Sequence, residues 1–153
     1  MRALALALVL LGGCKESAEE RAKQDVEAIA AVEKIQTVEP PLQSLVPEPL
    51  GARDLKVTGL TGPGCAFRAA DDAGEPIVRT NDKAAIVKLM GGIVAFASDP
   101  GGGKLPAGTW NHYVGKAHWI SLEPGKPGAA RFALHDAQNR VVFEAMGTLA
   151  CEG

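Results

Sequence analysis

Histidine, cysteine and aromatic residues are all scarce in this 153-residue chain, which holds three His, three Cys, two Trp, one Tyr and four Phe. That scarcity removes most catalytic chemistry. The serines are Ser17, Ser44, Ser98 and Ser121, and none sits in the G-x-S-x-G turn that exposes a nucleophile. Gly101-Gly102-Gly103-Lys104 has the look of a phosphate loop, but Leu105 follows where Ser or Thr must ligate Mg²⁺, and position 98 is not Gly. Excess positive charge is missing too: 16 Lys and Arg stand against 18 Asp and Glu, with no basic stripe, so nucleic acid is excluded as a partner. Long apolar runs are absent. The longest, Ala3 to Leu11, is about half of the roughly 20 residues that a spanning helix needs.

Glycine and proline, by contrast, are abundant at 18 and 10 residues, and with 46% hydrophobic and 22% charged residues they point to one globular domain rich in turns and short strands. The apolar run follows Met1 and Arg2 and ends in Leu11, Gly12, Gly13, Cys14, after which the chain turns polar. Its length is that of a secretory signal. These residues fit the lipobox pattern of an aliphatic residue, two small residues and Cys, and here the chain resembles a bacterial lipoprotein precursor. The resemblance implies cleavage before Cys14, a diacylglyceryl thioether on that residue and acylation of the new amine, palmitate being a usual chain. Two or three acyl chains hold firmly where one holds marginally, at about 0.8 kcal/mol per buried CH₂. Lys15 in place of an Asp-type retention signal implies the outer membrane, facing the periplasm.

Lys15 to Gln36 has no Gly or Pro and is rich in Ala and Glu, which predicts a helical stalk over 14–37. Ser17 and Glu20 have the capping-box spacing. Ala22, Val26, Ile29, Val32 and Ile35 form one apolar stripe, for which packing on its own domain, the headgroup layer or a partner helix are the candidate covers. Pro40, Pro41, Pro47 and Pro49 then predict an extended, semi-rigid tether over 38–53.

From 54 to 153 the pattern is that of an all-β sandwich or barrel, a meander of antiparallel strands joined by short turns. The expected strands are Leu55–Thr58, Cys65–Ala69, Pro76–Thr80, Ala84–Met90, Gly92–Ala97, Thr109–Val114, Ala117–Leu122, Ala130–Leu134 and Val141–Met146, with a short piece reaching Cys151. Cys65 and Cys151 are the two thiols left in the mature domain, and export to an oxidising compartment predicts their disulfide. It would close a loop of about 87 residues, worth roughly 4.6 kcal/mol by chain entropy.

His112, His118 and His135 are the metal candidates. With Gly115-Lys116 as a two-residue turn, Val114 opposes Ala117, Tyr113 opposes His118 and His112 opposes Trp119. That register sends His112 and His118 to opposite faces, so no metal site is expected, and no cofactor. Trp110, Tyr113 and Trp119 bring three of the seven aromatics into ten residues. They are the expected partner-binding residues, with Trp110, His112 and Trp119 on one face and Tyr113, His118 and Ile120 on the other. The Gly- and Pro-rich loop Ser98 to Gly108 is the longest irregular piece of the domain.

The expectation is a non-catalytic envelope lipoprotein whose β domain binds an envelope protein or a glycan. A lipobox followed by a small barrel, with one Cys near its first strand and another at its end, is also similar in layout to lipoprotein inhibitors of c-type lysozyme. The Ser-Gly-x-x-Tyr type motif of that family does not occur here and the Cys spacing is wider, so no inhibitory residue is transferred.

Overall fold

The computed structural model describes residues 17–36, 39–70, 74–126 and 128–153. Cys14 and its signal-like run lie outside the described residues, as do Asp71 and Asp72. The chain divides into compact units between Pro41 and Leu42.

Helix α1 (Ala18–Gln36) begins where its cap predicts. Ser17 Oγ accepts the Glu20 N–H at 3.3 Å, and Glu20 Oε2 accepts the Ser17 N–H at 3.1 Å, so two otherwise orphaned donors satisfy each other. Its stripe of Val26, Ile29, Val32 and Ile35 is exposed. None of the described helices is long and apolar enough to cross a membrane.

The second unit is a closed eight-stranded antiparallel barrel in simple meander order. Its strands are β1 (Gly64–Ala69), β2 (Val78–Thr80), β3 (Ala84–Leu89), β4 (Gly92–Ser98), β5 (His112–Val114), β6 (His118–Pro124), β7 (Ala129–Asp136) and β8 (Val141–Glu152). The expected barrel and its strands from Cys65 onward are therefore present. The two pieces expected after Val141 are one twelve-residue strand.

Closure comes from β1 against β8, paired in register from Gly64↔Glu152 to Ala69↔Gly147. Cys65 lies directly across from Cys151, and the two form a disulfide. Gly147 is required at this seam because a Cβ there would run into the Arg68 carbonyl oxygen and the Phe67 ring. The interior is filled by Phe67, Phe96, Phe132, Tyr113, Ile120, Leu122 and Leu134, each less than 2% exposed. Barrels of eight strands have a lumen that such side chains fill.

Two expectations are corrected. Leu55–Thr58, read as a strand, belongs to helix α2 (Ala52–Thr58). The Asp54 carboxylate accepts the Gly51 N–H at 3.1 Å at its start, and Gly59 ends it in the left-handed region at φ 72°. The Pro-rich stretch, read as a spacer, runs against the barrel from Leu45 onward: Leu45 N–H bonds Val142 O, Glu48 N–H bonds Lys88 O, and Leu50 N–H bonds Pro76 O. Leu50 and Leu60 build a small second core with Ile86 on the outer wall, flanked by Leu55 and Ile93. Proline here fixes an extended path whose alternate residues Leu45 and Pro47 are buried. Arg79 secures the end of that path, donating to the carbonyls of Leu60 and Gly62.

Candidate binding surface

Strand alternation sorts the aromatic segment into an inner and an outer set. The β5–β6 register is Val114↔Trp119, Tyr113↔Ile120 and His112↔Ser121, two residues away from the expected one. Four residues, Gly115 to His118, separate the paired Val114 and Trp119, with the Gly115 N–H on His118 O at 2.8 Å, in place of the two-residue turn. A shift of two preserves the faces, so His112 and Trp119 do share the outside, and Tyr113 and Ile120 the inside.

Tyr113, expected to touch a partner, is instead fully buried. Its hydroxyl donates to Asn81 O at 2.8 Å and accepts the Trp110 N–H at 3.0 Å, and burial raises its pKa. Trp110 is half-buried against the core. Its indole N–H donates to Asp82 O at 3.2 Å, and the Lys104 ammonium lies 5.5 Å from its ring centre. Both side chains therefore brace one end of the barrel and its Asp99–Leu105 loop.

Trp119 is the aromatic that reaches the outer wall, and it is flanked on both sides. His135 of β7 stacks on it, with centroids 3.6 Å apart and planes within 2°. From the β5 side His112 leans in at 4.8 Å and 53°. The indole N–H donates to Asn139 Oδ1 at 3.0 Å. Among the described residues His135 Nδ1 is buried without a hydrogen-bond partner, and desolvation holds the His135 pKa below its usual value. Its neutral form is thereby favoured.

Asp99 and Asn111 anchor the neighbouring loop. Asp99 Oδ2 pairs with His112 Nδ1 at 2.9 Å, and its Oδ1 accepts the Gly101 N–H at 2.9 Å. The Gly101 amide and then His112 lower the Asp99 pKa. Asn111 Oδ1 accepts the Gly103 N–H at 2.7 Å, and a Cβ at Gly102 would collide with that same oxygen. No local spacing signals the Asp99–His112 pair, which the fold brings together across 13 positions. Among the described residues no three His, Cys, Asp or Glu side chains are grouped closely enough to hold a metal ion. His112 and His135 face each other across an indole.

Around this cluster the ladder pairs form one continuous outward row: Ala84↔Ala97, Ala97↔Val114, Val114↔Trp119, Trp119↔His135 and His135↔Val141. It crosses six strands and carries no formal charge with His135 neutral. Val114 is 46% exposed and Val141 39%. The acids lie one row away, at Asp99 beside His112 and at Glu144, which is bound to Arg131 at 2.7 Å.

No family model matches this chain, and no curated protein or solved structure is significantly similar to it. The outward row is contiguous, uncharged and bordered by polar groups. His135 covers one face of the Trp119 indole, and Val114 and Ala97 continue the exposed apolar surface beside it.

Proposed function

We propose that this protein is a non-catalytic lipoprotein of the bacterial cell envelope, tethered through acylated Cys14, whose barrel binds an envelope protein on its outer wall. The observation that carries the binding part is the uncharged row from Ala84 to Val141, centred on Trp119, on a barrel whose interior is filled by its own side chains. The anchoring part is supported by the sequence alone, through Leu11, Gly12, Gly13 and Cys14. In cells, a clickable fatty acid should label the wild type and leave Cys14→Ser unlabelled. Equal labelling of the two, or none in either, would remove the anchor.

For the binding part, a photoreactive residue at Val114 should form a defined adduct in cells, and the same residue at Glu123, on the charged part of the wall, should not. Inhibition of c-type lysozyme is the second reading, favoured by the eight-stranded barrel closed through Cys65 and Cys151. Full lysozyme activity in the presence of excess purified protein would dismiss it.

A further inference from the structure

Among the described residues, strand β4 leaves a stretch of its edge in the barrel wall unpaired. Strand β4 pairs with β3 over its whole length, from Leu89↔Gly92 to Ala84↔Ala97, but with β5 only at Ala97↔Val114 and Ser98↔Tyr113. Two hydrogen bonds fix which way its peptide groups point: the Ser98 N–H reaches β3 at Lys83 O, and the Asp99 N–H reaches His112 O. Even-numbered residues of β4 therefore bond towards β3, and odd-numbered ones away from it. At Ala97 the outward groups meet β5. At Ala95 and Ile93 they face the side where the chain has already turned into β6 at Gly115, and among the described residues neither is paired there.

Nothing in the strand protects this edge. Natural sheets blunt such positions with charge, proline or a bulge. Gly92–Ser98 reads Gly-Ile-Val-Ala-Phe-Ala-Ser, without a charged residue or proline, and its pairing with β3 is continuous. Ala95 is exposed, and Ala97 and Val114 beside it continue the apolar row.

We infer that this edge is the docking line for an extended polypeptide segment of a partner protein, which adds as a short strand beside Ile93 and Ala95. The inference rests on the barrel's being a binding module, and it names the partner class. Two N–H and two C=O groups in period-two spacing match an extended main chain, the usual mode of strand addition, and the flat Ala95, Ala97 and Val114 surface sets a preference for small apolar side chains on the incoming strand. A second copy is the weaker occupant, because two outward residues per chain give far less than the ~1,200 Å² of a stable interface.

The test uses ¹⁵N-labelled full-length protein and three octapeptides of alternating Thr and Val that end in Lys, in Glu or without charge. At least one should shift the Ile93 and Ala95 amide signals and slow their hydrogen exchange about tenfold or more. The fully N-methylated version of that peptide should do neither, and Ala95→Pro should abolish the effect with an unchanged melting temperature. Proline at 95 removes only a donor that points away from β3, and the N-methyl comparison holds whatever the fate of that variant. Silence at Ile93 and Ala95 with all three peptides, an equal effect of the N-methylated peptide, or protection that grows with protein concentration in a self-paired dimer would each overturn the inference. A photoadduct at Val114 that survives Ala95→Pro would overturn strand addition and leave the binding module standing; no adduct at Val114 would count against both.

Discussion

Replacing Cys65 and Cys151 together by alanine tests how the barrel stays shut. The bridge links residues 86 apart, so its removal frees a loop comprising most of the barrel unit, and chain entropy puts the loss at about 4.6 kcal/mol at 25 °C. For a unit of about 110 residues, unfolding entropy near 2.1 cal/mol/K per residue converts that loss to a fall of roughly 20 °C in melting temperature. The native hydrogen-bonded seam is unaffected in kind, because β1 and β8 remain paired from Gly64 to Ala69. Scanning calorimetry of the oxidised wild type and the double variant reads the difference, and far-ultraviolet circular dichroism below the transition should match. A fall of less than about 5 °C would show that the unfolded chain is already restrained without the bridge, and would refute the entropic account.

Gly147→Ala should cost about 1–3 kcal/mol or more by urea titration, since its Cβ meets the Arg68 backbone rather than a movable side chain. Tyr113→Phe should cost about 1–3 kcal/mol by leaving Asn81 O and the Trp110 N–H without the hydroxyl. Trp119→Ala should raise the His135 titration midpoint, followed by NMR, towards the ordinary value near about 6.5, because the indole that keeps water from the imidazole is gone. Asp136 is opposed by burial, yet the Arg140 N–H and guanidinium and the Gln138 N–H hold its pKa below the usual value; Asp99 is lowered by the Gly101 amide and His112. The stability they confer is complete above the unfolded carboxylate value near about 4 and is lost as pH falls through their lower folded values. Asp136→Asn should flatten that acid limb in melts from pH 6 to pH 2.

The strands after Cys65 were legible because short β-prone runs lay between turn residues, and a closed meander needs little else. Two features hid the first part of the domain. Leu55–Thr58 is β-prone in isolation, but Asp54 capping Gly51 and the left-handed Gly59 decide for helix, and neither signal stands out among 18 glycines. Leu45, Pro47 and Leu50 sit in a tract whose prolines suggest solvent-borne chain, yet all three are buried, Leu45 in the main core and Leu50 in the cleft around Ile86. The inward and outward faces of the aromatic hairpin were readable despite the displaced turn, because parity survives a shift of two. Burial of Tyr113 was not, since a lone tyrosine carries no mark of which face is core. The Asp99–His112 contact depends on the path of a Gly-rich loop, which composition does not specify.

The order of the ladder also sets a timetable for synthesis. Strand β8 is the neighbour of both β7 and β1, so the N-terminal strand waits for the final twelve-residue strand before its second side is satisfied. A chain emerging from its beginning, whether from a ribosome or through a membrane pore, stays an open ribbon until its tail is released, and a nascent protein lacking that tail keeps two sticky rims where the finished barrel has the β1–β8 seam.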